Sequence, residues 1–424
     1  ACAPGAANTG TLAKPAAPIE VEYWRQFAET HAQEVSRKVA LEIAQRDNPD
    51  QFKIRMEQPA GSNADKIVAA ISSGTPPNLL IWRPNNAASF FNIGGAVDIE
   101  KEMKPIPTWA KTRANLPQPF LDGITWGKTL VGVPFQISQQ ALLYNPSLLE
   151  KAGVRPPAGP TASWTWNDFL DISRRAASPP DVYGLSIIWR SSGWQLFAGS
   201  NGASFINKDQ TKIQYTQPES LAAVEFLQQM THGHGLIPQN HPQDGNGELL
   251  HKGQALFEPQ GTGRFNAIRQ AGVPFEGVLM PRGPQKPTPY NWGSMWSFIV
   301  FKNGDPAKQR ASALVALACL SDEVQVKATA GNLGLPVTKS ASTSAAYQQL
   351  LANDKQWKQF AEMFQYTDIL PAIPSYDEMG VLRDQMMTKV YKQQESVRNA
   401  LAEAERLTQA LLDADLAKLK TQQK

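Results

Sequence analysis

The sequence has few of the residues and motifs that most enzymes and membrane-spanning proteins need. Its 424 residues include two cysteines and five histidines, and no G-x-S-x-G, H-E-x-x-H or Walker phosphate loop occurs. No apolar run reaches about 18 residues, which argues against a membrane-spanning helix. Lys and Arg number 41 against 38 Asp and Glu and are dispersed, which argues against a nucleic-acid partner. We expect no catalytic residue, no metal and no cofactor.

Two groups of polar residues leave an enzymatic alternative open, although neither has a distinguishing pattern. The segment THGHGLIPQNH contains an H-x-H pair, but it is a Gly- and Pro-containing loop without a nearby cysteine, which disfavours a metal site. Paired carboxylates serve glycoside hydrolases, and the candidates here are Glu258, Asp377 and Glu378. Nothing in the sequence singles these acids out. A glycoside hydrolase is therefore the alternative from a different functional class.

The two cysteines have different surroundings. Cys319, within ALVALACLSDE, belongs to an apolar helical pattern and is predicted to be a buried thiol. Cys2 begins ACAPGAANTGTLAKPAAP, residues 1–18, whose composition predicts a flexible tether. A lone cysteine at the head of such a tether resembles the lipidated cysteine of a bacterial lipoprotein, whose signal peptide is removed. An acyl chain there would anchor the protein to a membrane; a terminal cysteine without function is the alternative.

Beyond residue 18 the chain alternates between strand and helix patterns. IEVEYW (19–24) alternates apolar and polar residues as a half-buried strand does, and FKIRMEQPAG (52–61) and NLLIW predict two further strands. An amphipathic helix is predicted between the first two, because apolar or aromatic residues recur every four positions from Phe27 to Ile43. The strand–helix order predicts a parallel, open α/β sheet, and the chain is long enough for two or more domains.

Aromatic and polar residues stand at the ends of the first and third strands. Trp24 ends the first strand, and the stretch WRPNN ends the third. Because open α/β sheets bind ligands beyond the carboxyl ends of their strands, we expect Trp24, Arg83 and Asn85 to contact a ligand, with Trp82 packed beside them. Arg83 could instead form a surface ion pair, and Asn85 or Asn86 could cap the next helix.

Four segments, in order, carry a resemblance to a known family. LLYNPSLLEKAG is similar to the YYNKDLFEKAGL signature of extracellular solute-binding proteins of ABC importers, and ASWTWNDFLDISRRAA matches that family's helix entry. GSMWSFIVFKNGDPAKQRASALVALACLSDEVQVKATAGNLGLPVTKSA matches its return segment, and SVRNALAEAERLTQALL its closing helix. The order holds from about residue 19 to 415. The chain resembles the carbohydrate-type members, which include maltodextrin-, trehalose- and glycerol-phosphate-binding proteins.

The resemblance implies an α/β periplasmic-binding-protein fold with two discontinuous lobes, crossing hinge strands and a ligand cleft between the lobes. One lobe is expected from residues 19–132 and 288–335, and the other from residues 137–285 and 336–424. The lobes are expected to close around the ligand by a hinge motion. The resemblance further implies a monomeric lipoprotein outside the cytoplasm, periplasmic or at the cell surface. Its partners would be a carbohydrate and the permease subunits of an ABC transporter, and it would not be an enzyme.

The residues expected in the cleft are those that suit a sugar, which presents hydroxyls at its edges and C–H groups on its faces. Besides Trp24, Arg83 and Asn85, the candidates are Gln136, Ser138, Gln139, Trp189, Trp194, Gln260, Gly261, Trp292, Gly293, Trp296 and Tyr376. Gln260 and Gly261 are expected in a turn that exposes backbone N–H groups before a helix. A place in the core is the alternative for each of these four tryptophans, and Trp164 and Trp166 are expected to pack a helix entry.

The ligand is expected to be a neutral sugar or a short oligosaccharide. In the glycerol-phosphate branch of the family, an arginine late in the chain handles phosphate. The corresponding segment here, LPAIPSYDEMGVLRDQM, has Asp377 and Glu378 near that position, and carboxylates there would repel a phosphate. Arg383 lies further along the segment, so a glycerophosphodiester or glycerol phosphate is the alternative ligand.

Overall fold

The computed structural model describes residues 14–59, 63–187, 193–240, 249–329 and 334–422. Its strands are β1 Ile19–Trp24, β2 Phe52–Glu57, β3 Leu79–Trp82, β4 Thr125–Trp126, β5 Thr129–Leu130, β6 Val133–Tyr144, β7 Tyr183–Leu185, β8 Ala255–Gly261, β9 Glu276–Val278, β10 Asn291–Val300 and β11 Thr367–Ile369. Its helices are α1 Ala32–Asp47, α2 Ala64–Ser72, α3 Pro84–Asn92, α4 Ile99–Met103, α5 Trp109–Asn115, α6 Gln118–Gly123, α7 Pro146–Lys151, α8 Trp166–Ala176, α9 Gly193–Ser200, α10 Pro218–Gln228, α11 Phe265–Gln270, α12 Pro306–Ala318, α13 Asp322–Val324, α14 Lys339–Thr343, α15 Ala345–Asn353, α16 Lys355–Met363, α17 Tyr376–Tyr391 and α18 Val397–Gln422.

The main sheet of the described chain has nine strands. Its path runs β2-β1-β3-β10-β6-β8-β7, and β11 pairs with β10 while β9 pairs with β6. Strand β1 is parallel to β2 and β3, which confirms the prediction for this part of the sheet. Strand β10 is antiparallel to β3 and to β6, so the whole sheet is mixed and not parallel. Because β10 returns from a distant part of the chain, no strand–helix–strand crossover imposes a parallel direction on it.

The two long strands β6 and β10 change partners along their length. Strand β6 pairs with β10 from Val133 to Gln140 and then with β8 and β9 up to Tyr144. Strand β10 pairs with β11 near its start at Asn291 and with β3 near its end at Val300. Each of the two strands therefore has different neighbours at its two ends. Such a change of partners is the arrangement predicted for strands that cross between two lobes.

Helix α1 starts later than its sequence predicted and buries a different face at its N-terminal end. Phe27 and His31 precede the helix and stack on each other, with ring centroids 4.3 Å apart. Val35 is 46% exposed, whereas Glu34 and Arg37 are buried and form an ion pair with a 2.5 Å nitrogen–oxygen distance. The predicted stripe is therefore wrong at its N-terminal end, where a charged pair lies on the buried face and apolar spacing does not reveal it. At the other end Ile43 is buried and Val39 packs against the core, as predicted.

Two predictions about buried residues are confirmed. Cys319 is a free, fully buried thiol, and burial raises its pKa far above the ordinary value. Trp164 and Trp166 are each 5% exposed at the start of α8, where Thr165 and Asp168 cap the helix reciprocally. The indole N–H of Trp164 donates to the carbonyl oxygen of Leu279 at 2.9 Å. Trp164 and Trp166 therefore pack at the start of α8, as predicted.

Buried Asp415 of α18 connects the start of α17 with the end of α3. The backbone N–H of Ser375 donates to its Oδ2 at 2.9 Å, and the amide of Asn92 donates to its Oδ1 at 3.4 Å. Asp415 is only 2% exposed, so these hydrogen bonds are shielded from water. They hold the first turn of α17 close to the helix that follows β3.

Within the described residues, no helix is long and apolar enough to span a bilayer.

Candidate functional site

The chain passes from β3 into α3 without an intervening loop. Arg83 has an extended backbone, with ψ at 155°, as expected for a residue that precedes proline. Pro84 is the first residue of α3, a position where its missing N–H is not needed. Trp82 packs edge-on against Phe90 and is 8% exposed, which agrees with its predicted place beside the ligand groups. The side chain of Arg83 is 39% exposed and so does not belong to the core.

Asn85 and Asn86 lie in the first turn of α3, whose cap position is occupied by Arg83, so the capping alternative is wrong. The two amides are 6% and 5% exposed. Asn85 Nδ2 and Asn86 Oδ1 have no hydrogen-bond partner among the described residues. Of the two side chains, that of Asn85 lines a cavity. An unpaired buried amide costs about 1–3 kcal/mol, so a ligand acceptor at Asn85 would recover that energy.

This cavity, named the Arg83 cavity, has a volume of about 230 Å³. Four of the residues predicted from sequence line it together: Arg83, Asn85, Trp292 and Tyr376. They come from three distant parts of the chain, namely the end of β3, the start of β10 and the first turn of α17. The structure thus brings hydrogen-bonding groups and aromatic rings to one small space.

A second cavity, named the Tyr290 cavity, has a volume of about 350 Å³. It shares Trp292, Tyr376 and Arg383 with the Arg83 cavity. The rest of its lining includes aromatic rings and amides, among them Phe205, Tyr215, Tyr290, Gln195 and Gln210. Burial raises the pKa of the Tyr290 and Tyr376 hydroxyls above the ordinary value, so both remain protonated donors at neutral pH.

Charges of opposite sign meet in the Arg83 cavity. Arg83 Nη2 lies 3.0 Å from Asp377 Oδ2, and the two side chains are 39% and 46% exposed. The ion-pair alternative for Arg83 is therefore confirmed, and it is compatible with a place in the cavity wall. Arg383 and Asp384 also line the cavity, so its two guanidinium groups are matched by two carboxylates. The wall carries hydrogen-bonding groups without a net charge.

The face of the hinge strands continues this wall. In the antiparallel register, Ser294 lies opposite Ser138, and Trp296 lies opposite Gln136. Residues directly opposite each other share one face of a sheet, and residues two apart on a strand also share it. Ser138 and Gln136 therefore lie on the same face as Trp292 and Ser294, which line the Arg83 cavity.

Gln139 and Gly293 lie on the other face of the same strands. They are opposite each other in the register, and Gln139 is fully buried. A Cβ atom at Gly293 would come 2.8 Å from the side chain of Thr367, so this position has no room for a larger residue. Because side chains alternate along a strand, the three residues predicted to contact a ligand, Gln136, Ser138 and Gln139, do not share one face.

Three of the predicted tryptophans do not line either cavity. Trp24 donates its indole N–H to Glu22 on a partly exposed face of β1. Trp194 is fully buried and packs edge-on against Phe205 and Tyr215, so it supports the Tyr290 cavity from behind. Trp296 lies beneath Arg37, whose guanidinium carbon is 4.8 Å from the ring centroid.

Gln260 and Gly261 are strand residues and do not form the predicted turn. Gly261 pairs with Gln140 and Gln260 with Ala141, and a short 3-10 helix begins at Thr262. The Gln260 side-chain amide donates to Glu258 Oε1 at 2.5 Å. Glu258 is 3% exposed, and burial raises the pKa of its carboxyl. Two further predicted residues, Trp189 and Cys2, lie outside the described residues.

Sequence reasoning missed Gly380 in the Arg83 cavity, and Gln195 and Tyr290 in the other. Arg383 was noticed but not placed in the site, although it lines both cavities. Helical spacing was the signal that could have found two of them: Gly380 and Arg383 follow Tyr376 by four and seven residues, on one face of α17. No comparable local pattern marks Gln195 or Tyr290.

Proteins of known structure share the fold of this chain. An ABC substrate-binding protein from Listeria monocytogenes, solved in complex with cycloalternan, has a TM-score of 0.78 and 20% identity, with 93% of this chain and 99% of that chain covered. A cyclic alpha-maltosyl-1,6-maltose binding protein from Arthrobacter globiformis has a TM-score of 0.79 and 18% identity, with 93% and 99% covered. These matches show the predicted fold, a two-lobed α/β periplasmic-binding-protein architecture with a cleft.

The sequence comparisons agree with the fold. The sn-glycerol-3-phosphate-binding periplasmic protein of Shigella flexneri is 25% identical over 150 residues, which are 33% of this chain and 33% of that protein. The family model described as bacterial extracellular solute-binding protein matches residues 40–357, about three quarters of the chain. The chain therefore belongs to the family of bacterial extracellular solute-binding proteins.

Proposed function

We propose that this protein captures a sugar or short oligosaccharide in its interlobe cleft and delivers it to an ABC importer. The observation that carries the proposal is the Arg83 cavity, where Arg83 and Asn85 share one lining with Trp292 and Tyr376. Guanidinium and amide groups hydrogen-bond to sugar hydroxyls, and aromatic rings cover the apolar faces of a sugar. Two proteins of similar fold bind carbohydrates, namely cycloalternan and cyclic alpha-maltosyl-1,6-maltose.

A neutral ligand agrees best with the charges of the cavity. Two arginines and two aspartates line it, and Arg83 is already paired with Asp377. A phosphate would gain from the arginines and lose against the carboxylates, whereas hydroxyls can donate to the acids and accept from the arginines. The partial similarity to a glycerol-phosphate-binding protein keeps a glycerophosphodiester as the second candidate.

A thermal-shift screen tests the two candidates directly. Purified protein is heated with mono-, di- and trisaccharides, with sn-glycerol 3-phosphate and with glycerophosphodiesters, and each hit is titrated by calorimetry. A ligand that binds only the native state raises the melting temperature by mass action. We expect a rise with at least one neutral sugar. A rise with the phosphates alone would replace the sugar proposal by the second candidate, and no rise at all would contradict both.

We also propose the lobe boundaries expected from sequence, 19–132 with 288–335 and 137–285 with 336–424. The change of partners along β6 and β10 supports them, because both strands cross from one set of strands to the other. Closure around the ligand should reduce the radius of gyration, which small-angle scattering measures with and without the bound sugar. An unchanged radius at saturation would contradict the closing motion.

The location outside the cytoplasm follows from the family, and we propose a lipid anchor at Cys2 in addition. A Cys2→Ala variant, expressed with a signal peptide, should move from the membrane fraction to the soluble extracytoplasmic fraction. Retention in the membrane fraction would contradict acylation at this residue. Docking of the closed form on permease subunits is proposed on the same grounds and can be measured as ligand-dependent stimulation of the transporter ATPase.

We propose a binding role without catalysis. Glu258 is buried and accepts hydrogen bonds from Leu250 N–H and from Gln260, and Asp377 is paired with Arg83, so both carboxylates have structural partners. Incubation with the sugars that bind, followed by chromatography of the products, is the test. Cleavage that is lost in Glu258→Gln or Asp377→Asn would favour the glycoside hydrolase instead.

A further inference from the structure

Gly380 is a glycine in the interior of a regular helix, α17, where glycine is unfavourable. Its backbone does not have positive φ, so the conformation does not require glycine. A Cβ atom built at this position would meet only Arg383 Nη2, at 3.6 Å, and would otherwise point into open space. Gly380 also lines the Arg83 cavity. Alanine would stabilise the helix more than glycine does at this position. Helix stability therefore does not explain the missing side chain.

Arg383 lies one turn further along the same face of α17. The side chain is only 3% exposed, although it lines both cavities. Its Nε and Nη1 atoms have no hydrogen-bond partner among the described residues. The Tyr376 ring lies 5.6 Å from the guanidinium carbon, and the guanidinium hydrogen-bonds with the side chains of Tyr215 and Tyr376. The carboxylate of Asp384 also acts on it electrostatically. Burying a guanidinium with unpaired N–H groups is costly, so an acceptor from outside the chain would stabilise it.

We propose that Gly380, because it has no side chain, leaves a gap on the surface of α17 through which the bound ligand reaches the guanidinium of Arg383. This gap is named the aperture. The inference rests on the proposed function, because it takes the Arg83 cavity as the ligand site. A Cβ atom at Gly380 would lie 3.6 Å from Nη2, so a ligand group seated over Gly380 lies beside the guanidinium, whose Nε–H and Nη1–H are the donors without a partner among the described residues. Arg383 is then a specificity-determining residue, and Gly380 determines the size of the group that can approach it.

The chemistry of the ligand group that contacts Arg383 follows from the residues around it. A guanidinium donates hydrogen bonds and accepts none, so the ligand group at the aperture presents oxygen acceptors. Asp384 and Asp377 line the same cavity, and their charges would oppose an anion. Hydroxyl oxygens of a neutral sugar satisfy both conditions, because they accept from Arg383 and can donate to a carboxylate.

The test is a pair of measurements that should move in opposite directions. Gly380→Ala and Gly380→Leu are compared with the unmodified protein for melting temperature without ligand and for affinity by calorimetry. The probe is the sugar that binds most tightly in a panel of maltose, maltotriose and trehalose. We expect Gly380→Ala to melt higher and to bind about tenfold more weakly, and Gly380→Leu to lose detectable binding. Gln385→Ala, at an exposed position of the same helix, is the control and should bind normally.

Arg383→Met is the second arm, because it removes the donor and keeps the length of the side chain. We expect affinity for the probe to fall about 5- to 150-fold, in the range for a lost charged donor. Arg383→Lys keeps the charge and part of the donor set, so its affinity for the probe should lie between that of Arg383→Met and that of the unmodified protein. It also provides a second measurement if the methionine variant does not fold. Unchanged affinity in Gly380→Leu or in both Arg383 variants would overturn the aperture while leaving sugar binding intact. Absence of any sugar binding in the unmodified protein would overturn the proposed function and the aperture together.

Discussion

The two cavities differ in the kind of contact that they offer. The lining of the Arg83 cavity includes two arginines, two aspartates and the amide of Asn85, whose Nδ2 has no partner among the described residues. The larger Tyr290 cavity is lined mostly by aliphatic and aromatic side chains, with fewer amides and charged groups. Directional donors select for the positions of hydroxyls, while aromatic rings accept many apolar faces of suitable size. If the proposed sugar occupies both cavities, the Arg83 cavity would select hydroxyl positions and the Tyr290 cavity would accept apolar faces, with Trp292 and Tyr376 in the wall common to both.

Truncation of the shared wall should have the largest effect. Trp292→Ala removes a ring that lines both cavities, and we expect a loss of at least about 2 kcal/mol of binding free energy, or about 30-fold in affinity. Trp296→Ala is the matched control, because Trp296 lies on the same sheet face but is covered by Arg37. It should lower the melting temperature and leave affinity nearly unchanged. Equal losses of affinity in calorimetry would contradict the shared wall.

The second largest loss of affinity is expected from Asn85→Ala and not from Asn86→Ala, although the two amides are neighbours. Asn85→Ala should weaken binding by about 1–3 kcal/mol, a factor of about 5 to 150, because Asn85 lines the Arg83 cavity and its Nδ2 has no partner among the described residues. Asn86→Ala removes an equally buried amide that lines neither cavity and should bind as the unmodified protein does. Calorimetric titration of both, with melting temperatures as controls for folding, measures the difference. A larger loss in Asn86→Ala would mean that the ligand lies elsewhere.

Filling the Tyr290 cavity should distinguish long from short ligands. Ala203 lines this cavity and not the other, so Ala203→Leu reduces its volume alone. If a longer oligosaccharide extends past the shared wall, its affinity should fall about tenfold, or about 1.4 kcal/mol, while that of a monosaccharide stays the same. Titration of one variant with both ligands provides its own control. An equal change for both sugars would show that the two cavities do not act as separate compartments.

The smallest effect is expected from the ion pair between Arg83 and Asp377. Half-exposed pairs of this kind contribute about 0–1 kcal/mol, so Asp377→Asn should weaken binding by no more than about fivefold. The difference from the unmodified protein should shrink as salt is raised, since exposed charges are screened over about 3 Å at 1 M. Titrations at low and high salt give the two values. A larger effect that resists salt would mean that Asp377 itself contacts the ligand.

Local patterns predicted much of the first half of the fold correctly. The alternation of IEVEYW, and the apolar run that ends at Trp82, identified β1 and β3, whereas the start of α3 at Pro84 was not predicted. These strand patterns depend on neighbours in sequence, through side-chain alternation. The same reasoning failed for the N-terminal end of α1, where the buried Glu34–Arg37 pair replaces the expected apolar stripe.

The candidate site was predictable only in part, and the tryptophans illustrate the reason. From sequence, Trp194 and Trp292 were equally good candidates, because both stand beside polar residues at the edge of an apolar segment. In the folded protein, Trp194 is closed off by Phe205 and Tyr215, while Trp292 remains at the surface shared by two cavities. Burial depends on what the rest of the chain packs against a side chain, and sequence neighbours do not report that packing.

The sequence by itself determined that the chain is a folded α/β protein, that it resembles solute-binding proteins, and that Arg83 and Asn85 stand at a strand end. Those conclusions follow from short-range regularities and from the order of motifs. Only the tertiary structure decided that Tyr376, Gly380 and Arg383 of α17 face that strand end, because they are about 300 residues away along the chain. Their approach depends on the antiparallel return of β10 and on the contacts of Asp415, which no local pattern encodes.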